Sequence, residues 1–151
     1  MCVLLLSPLF FVGCRKDASQ KSGASASTSR TGLLVINPQF DDASPFSDGL
    51  AAVRVGDSKT GKWGYIDKQG HYVVNPQFDE VSPFSDGLGA VRIGDEKSGK
   101  WGFIDRQGHY VVNPQFDAIT SWLFSDRAFS EGLAVVRIGD DKTGKWGYIA
   151  R

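Results

Sequence analysis

The chain is poor in the residues that carry most enzyme chemistry: its 151 residues include two cysteines, two histidines and one methionine. Both cysteines, Cys2 and Cys14, fall within the first 14 positions. The rest of the chain therefore offers no disulfide, no thiol nucleophile and no cysteine metal site. Its folding is independent of redox state, and only the N-terminus can specify a compartment. His71 and His109 each follow a glycine, with no cysteine or second histidine spaced to complete a zinc site, so no metal is expected. Net charge is absent too, with 17 Lys and Arg against 17 Asp and Glu. Arg15, Lys16, Lys21 and Arg30 against Asp17 gather positive charge in residues 15–32 and leave the remainder slightly acidic. That balance is a poor one for nucleic acid, which is excluded as a partner. No apolar run reaches the roughly 20 residues of a membrane-spanning helix.

One apolar run does stand out. Val3 to Val12 is almost wholly apolar and is followed by Gly13-Cys14 and then by Arg15 and Lys16, a length that fits the core of a signal peptide. The ending Phe11-Val12-Gly13-Cys14 resembles the bacterial lipobox, in which a small residue precedes a cysteine that is diacylated and becomes the mature N-terminus. The resemblance implies a signal peptide over residues 1–13, lipid attachment at Cys14, and a membrane-anchored place in the bacterial cell envelope. A plain secretion signal is the alternative. Residues 14–32, rich in Ser, Gly and Ala, lack anything that could build a core and form a flexible linker with a mean reach of roughly 20–25 Å.

The body of the chain is repetitive. Asn-Pro-Gln-Phe-Asp begins at Asn37, Asn75 and Asn113, a period of 38 residues, and Lys-Trp-Gly begins at Lys62, Lys100 and Lys145. Seven extra residues separate the last two Lys-Trp-Gly copies and form an insertion at about 118–130. Within a unit, Ala51, Val53 and Val55 alternate along one face of a half-buried strand. Lys62 to Asp67 forms the next strand, Asp67 to Gly70 a turn, and His71 to Pro76 a third strand. Residues 33–151 are thus predicted to be all-β: three tandem units of about 38 residues, each with about three antiparallel strands. Leu33 to Pro38 reads as a third strand, and Lys145 to Ile149 as a second strand. Pairing the two would close a compact array of about nine strands and protect both edges; an open array is the alternative.

Gly56 to Lys62 matches the Gly-x-x-x-x-Gly-Lys spacing of a phosphate loop. That motif needs Ser or Thr at the next position and a helix beyond it, and here Trp63 and a strand follow. A tight hairpin loop is the better reading. The acidic pairs, such as Asp95-Glu96 and Asp140-Asp141, read as solvated turn residues.

The motif Lys-Trp-Gly-(Tyr/Phe)-Ile-Asp-x-x-Gly followed by Val-Val-Asn-Pro-x-Phe resembles the bacterial WG-repeat family over residues 33–151. The resemblance implies β-rich tandem repeats in envelope or secreted proteins. It supplies no catalytic residue and no cofactor.

Trp63, Trp101 and Trp146 recur at one position, each followed by glycine (Gly64, Gly102 and Gly147). They are expected to form the structural core of the repeat, since an indole buries roughly 150–250 Å² and a glycine lets a neighbour lie against the backbone. A row of exposed indoles stacking on sugars is the alternative. The insertion breaks the repetition and places Trp122, Phe124 and Arg127 on one loop, making them the candidate ligand contacts; a local cap on the third unit is the competing reading. A hydrolase would need a nucleophile or paired carboxylates at a nonrepeated site, and the insertion has no His, Cys or Glu. The expectation is a noncatalytic envelope lipoprotein that binds protein or glycan, with a purely structural part in an envelope assembly as the second reading.

Overall fold

The three Asp/Glu-Gly pairs set the frame. In the computed structural model, which describes residues 32–120 and 128–151, Asp48, Asp86 and Glu131 adopt φ of 51°, 54° and 55°, and the glycines after them follow at 81–88°. Two successive positive φ values make a two-residue turn whose twist matches that of antiparallel strands. Ser47 and Leu50 exchange backbone hydrogen bonds across the first turn, and Ser85 and Leu88 across the second.

All regular elements among the described residues are strands, and they form three sheets. The first runs in the order β1 (Asp42–Ala43), β2 (Ala51–Val55), β3 (Lys62–Ile66), β4 (Tyr72–Phe78). The second repeats it as β5 (Glu80–Val81), β6 (Leu88–Ile93), β7 (Lys100–Asp105), β8 (Tyr110–Phe116). In the third, β11 (Leu133–Ile138) pairs on one side with both β9 (Ala118–Ile119) and β10 (Phe129–Ser130), and on the other with β12 (Lys145–Ala150). The first two units thus begin with a two-residue strand, too short to show an alternating pattern, so their sheets have four strands rather than three; the third reaches four with two such strands, β9 and β10.

The Trp-Gly and Asn-Pro motifs explain each other. Trp63 pairs with Phe78 but Tyr65 pairs with Val74, so β4 carries extra residues opposite Gly64. Pro76 sits in that bulge, where its missing N–H costs no ladder bond. A Cβ on Gly64 would lie 2.5 Å from the Val74 carbonyl oxygen and 2.7 Å from the Pro76 nitrogen. The second sheet repeats the arrangement at Gly102.

The central strands are buried on both faces, not one. Ala51 and Val53 pack with Ile66, Ile36 and Phe40 on the leading side. Leu50 and Ala52 face the trailing side, where Tyr65 meets Phe84, Val91 and Ile104 of the second unit. A second trailing core joins Leu88, Ala90 and Phe103 to Phe129, Ala134 and Val136 of the third unit. Val55, expected on the buried face, is exposed beside its loop.

The expected closure is not formed. Residues 33–38 adopt no strand, and among the described residues β12 pairs with β11 alone. Among the described residues the array is open: β4 and β8 complete the strand pairing of the first two sheets, and β12 meets no strand besides β11.

Candidate functional site

Each junction between units is built from the same contacts. Tyr65 inserts its ring edge-on against Phe84, centroids 4.8 Å apart, and its hydroxyl donates to the Ser82 carbonyl at 2.7 Å. Ser47 Oγ donates to the Phe84 carbonyl at 2.7 Å. At the second junction Phe103 takes the place of Tyr65 against Phe129 at 5.1 Å, and Ser85 Oγ donates to the Phe129 carbonyl at 2.8 Å. Burial pushes the Tyr65 phenol well above its usual range, so it remains a neutral donor at any physiological pH.

Along the strand ends runs a ladder of arginines on tryptophans. The guanidinium carbons of Arg54, Arg92 and Arg137 lie 5.4, 5.7 and 5.5 Å from the ring centres of Trp63, Trp101 and Trp146. Each arginine also pairs with a carboxylate: Arg54 with Asp42 at 3.3 Å, Arg92 with Glu80 at 3.0 Å and Arg137 with Asp141 at 2.6 Å. The signal was present in the sequence as Val-Arg-(Val/Ile)-Gly in every unit, one residue pairing opposite each tryptophan.

The loops that mimic a phosphate-binding motif are filled by their own carboxylates. Asp57 Oδ1 accepts the Lys59 and Thr60 amides at 2.7 and 2.9 Å, and its Oδ2 accepts the Thr60 hydroxyl at 2.7 Å. Asp95 and Asp140 do the same in the other units. The hydroxyl bond first, and the amides after it, lower the Asp57 and Asp95 carboxyls to about 2. The lysine of the motif points elsewhere: Lys62 Nζ donates to Asp79 at 2.5 Å, and Lys100 to Asp117. The other carboxylate oxygens of Asp79 and Asp117 accept the amides of Gly94 and Gly139 in the following unit, at 2.9 and 2.8 Å. The loop amides are thus taken up by the protein's own carboxylates, and Asp79 and Asp117 tie the lysine of one unit to the loop of the next.

Two polar clefts of about 330 and 430 Å³ open beside these loops. The first is lined by Arg54, Lys59, Asp79, Arg92 and Glu96, the second by Lys97, Asp117, Arg137 and Asp141. The first cleft balances Arg54, Lys59 and Arg92 against Asp79, Asp95 and Glu96, whereas in the second Glu96, Asp117, Asp140 and Asp141 outnumber Lys97 and Arg137 and make it acidic. His71 and His109 are exposed and lean on Asp67 and Asp105 of their own turns at 3.5 and 3.3 Å. Among the described residues no group of three His, Cys, Asp or Glu is placed to hold a metal ion.

The tryptophans divide by position. Trp101 is buried, Trp63 is half-buried against the first junction, and Trp146 is 51% exposed. The expectation of a core role for Trp146 and Gly147 is corrected here: among the described residues β12 pairs with β11 alone, and a Cβ on Gly147 would meet nothing within 4 Å. Nor do the indoles form an exposed row, since Arg and the neighbouring unit cover the first two. Instead the third unit leaves an apolar sheet face open. Tyr148, the counterpart of the fully buried Tyr65 and Phe103, is 72% exposed, and Leu133, the counterpart of buried Leu50 and Leu88, is 46% exposed. Cys14, Trp122, Phe124 and Arg127 lie outside the described residues.

A family model described as WG containing repeat matches residues 30–58, 63–96 and 101–146. No curated protein and no solved structure matches the chain. Three matched copies span most of the sequence, each carrying its Trp-Gly strand or the segment that leads into one, and the chain belongs to the WG-repeat family.

Proposed function

We propose that this protein is a noncatalytic interaction module, held to the bacterial cell envelope through lipid on Cys14 and binding a protein or glycan with its repeat body. The observation that carries the reading is the repeat body itself, in which matched WG repeats fold into successive antiparallel sheets and Arg54, Arg92 and Arg137 lie over Trp63, Trp101 and Trp146. Exposed aromatic side chains on β12, Trp146 and Tyr148, suit contact with a protein or glycan surface. The insertion residues Trp122, Phe124 and Arg127, of types enriched at binding hot spots, are the second contact region in this reading.

Photocrosslinking in the native envelope tests it. A photoreactive residue at position 148 is expected to give adducts that the same residue at exposed position 68 does not. Equal labelling at the two positions, or none, overturns the reading. Trp122→Ala with Phe124→Ala is expected to weaken capture while leaving Tm intact; a large loss of stability with capture unchanged assigns the insertion to a cap instead. The anchor is tested separately by Cys14→Ser, which should release the protein from the membrane fraction.

A further inference from the structure

The two polar clefts beside the long loops are copies of one site. Lys59, Asp79, Arg92 and Glu96 of the first are answered one unit later by Lys97, Asp117, Arg137 and Asp141 of the second. Both lie between one unit and the next, and neither includes a residue of β1 or β12. Much of the charge around them is already engaged. Asp79 and Asp117 accept from Lys62 and Lys100 and from the Gly94 and Gly139 amides, and Asp95 and Asp140 are occupied by their own loops. Each arginine commits its Nη2 to a carboxylate. What remains is a lysine from the loop of one unit and an acid from the loop of the next, Lys59 with Glu96 in the first cleft and Lys97 with Asp141 in the second. Lys59, Glu96 and Lys97 form no ion pair among the described residues.

A cation entering the first cleft would meet Arg54, Lys59 and Arg92, and an anion entering the second would meet Glu96, Asp117, Asp140 and Asp141. A ligand common to both is therefore uncharged, and it must accept from cations and donate to carboxylates at once. An alcohol does this, with one O–H donor and two acceptor lone pairs. No apolar side chain lines the second cleft, so a peptide side chain finds no anchor there. In the first cleft Trp63 adds an aromatic surface for C–H contact. We propose that the clefts are successive subsites for a linear, uncharged glycan that crosses the long loops. Stacked sheets lie about 10 Å apart, so a polymer of regular repeat meets the same donors and acceptors at each junction, and the linked contacts add avidity. The volumes of about 330 and 430 Å³ fall within the roughly 300–1,000 Å³ of small-molecule sites. Glu96 lines both clefts and is the shared contact; Lys59 and Lys97 serve one each.

The inference rests on the interaction reading and names its ligand class. An array of linear hexasaccharides, neutral and uronate-bearing, probed with the full chain in nonionic detergent, is expected to capture it on neutral members and not on uronates. Affinity for the captured neutral hexasaccharide should change little with ionic strength, since no ion pair forms. Glu96→Ala should weaken it on the order of 10-fold or more, and Lys59→Ala or Lys97→Ala by less. Glu96→Gln keeps an acceptor for a hydroxyl and should recover part of the loss. Lys68→Ala, in an exposed turn, should leave affinity unchanged. Lys59, Glu96 and Lys97 are exposed, so Tm should hold throughout. A silent array, equal capture by uronates, strong salt dependence, or affinity that Glu96→Ala leaves intact overturns the proposal. If position 148 still gives adducts in the envelope, only the cleft assignment fails; if the array is silent and position 148 is inert as well, the interaction reading fails with it.

Discussion

The Tyr65 hydroxyl donates to the Ser82 carbonyl at 2.7 Å across the first junction, at a position where the second junction holds Phe103, with no hydroxyl. The two junctions therefore offer an internal comparison. Tyr65→Phe keeps the ring against Phe84 and removes one buried hydrogen bond, and should cost about 1–2 kcal/mol. Tyr65→Ala also empties the cavity and should cost about 3–5 kcal/mol. Phe103→Tyr should not stabilise the second junction unless the new hydroxyl finds an acceptor. Urea denaturation of the three variants checks the ranking.

The glycines of the Trp-Gly motif are predicted to differ in tolerance by position. A Cβ on Gly64 or Gly102 would lie 2.5 or 2.6 Å from a carbonyl oxygen of the paired strand, whereas one on Gly147 meets nothing within 4 Å. Gly64→Ala and Gly102→Ala should each destabilise by about 1–3 kcal/mol, since the backbone must shift to admit the methyl. Gly147→Ala should fall within about 0.5 kcal/mol of the parent. Thermal melts of the three variants make the comparison.

The arginine ladder invites a substitution that separates charge from bulk. Arg92 stacks on Trp101 and pairs with Glu80, and its aliphatic stem is largely covered. Arg92→Ala removes stacking, ion pair and stem together and should cost about 1–2 kcal/mol; Arg92→Met keeps the stem and should recover part of the loss. Tryptophan emission should shift in both variants, because the cation leaves the indole face.

Acid sensitivity should begin in the long loops. Asp57 and Asp95 are held at about 2, by a hydroxyl and two amides, against the ordinary 3.8. Their folded values are depressed, so the stability they contribute is fully present above about pH 4 and is lost as pH falls toward 2. Hydrogen exchange of the Lys59, Thr60, Lys97 and Ser98 amides should accelerate across that window. Asp57→Asn should flatten the pH response at Lys59 and Thr60 while leaving that at Lys97 and Ser98 unchanged.

Much of this architecture is legible in the sequence because it is repeated. The period, the Asp-Gly turns and the Trp-Gly strands stand out as three aligned copies, and each occupies a place in the structure consistent with its turn or strand chemistry. Strand β1 and its counterparts were not legible, since two residues such as Asp42 and Ala43 cannot display an alternation. The two-sided burial of β2 was hidden for a related reason: Ala51 and Ala52 are both small and apolar, and only the stacking of a second sheet decides that both faces are covered. Tyr148 is exposed although its local sequence is shared with Tyr65, because burial at that position is decided by the sheet packed against the strand and not by the strand itself. The bulge opposite Gly64 unites two motifs, Trp-Gly and Asn-Pro, that read separately along the chain.

The alternation along β2, β6 and β11 has a consequence for how such a molecule can change length. Ala51 and Val53 in the first of these strands face the leading core and Ala52 faces the junction with the second unit, so a single-residue slip would exchange two buried faces at once. A gain or loss of one whole period leaves every junction with its own pair of partners. A gain or loss of 38 residues thus preserves the alternation on which both buried faces depend, whereas a gain or loss of one residue does not.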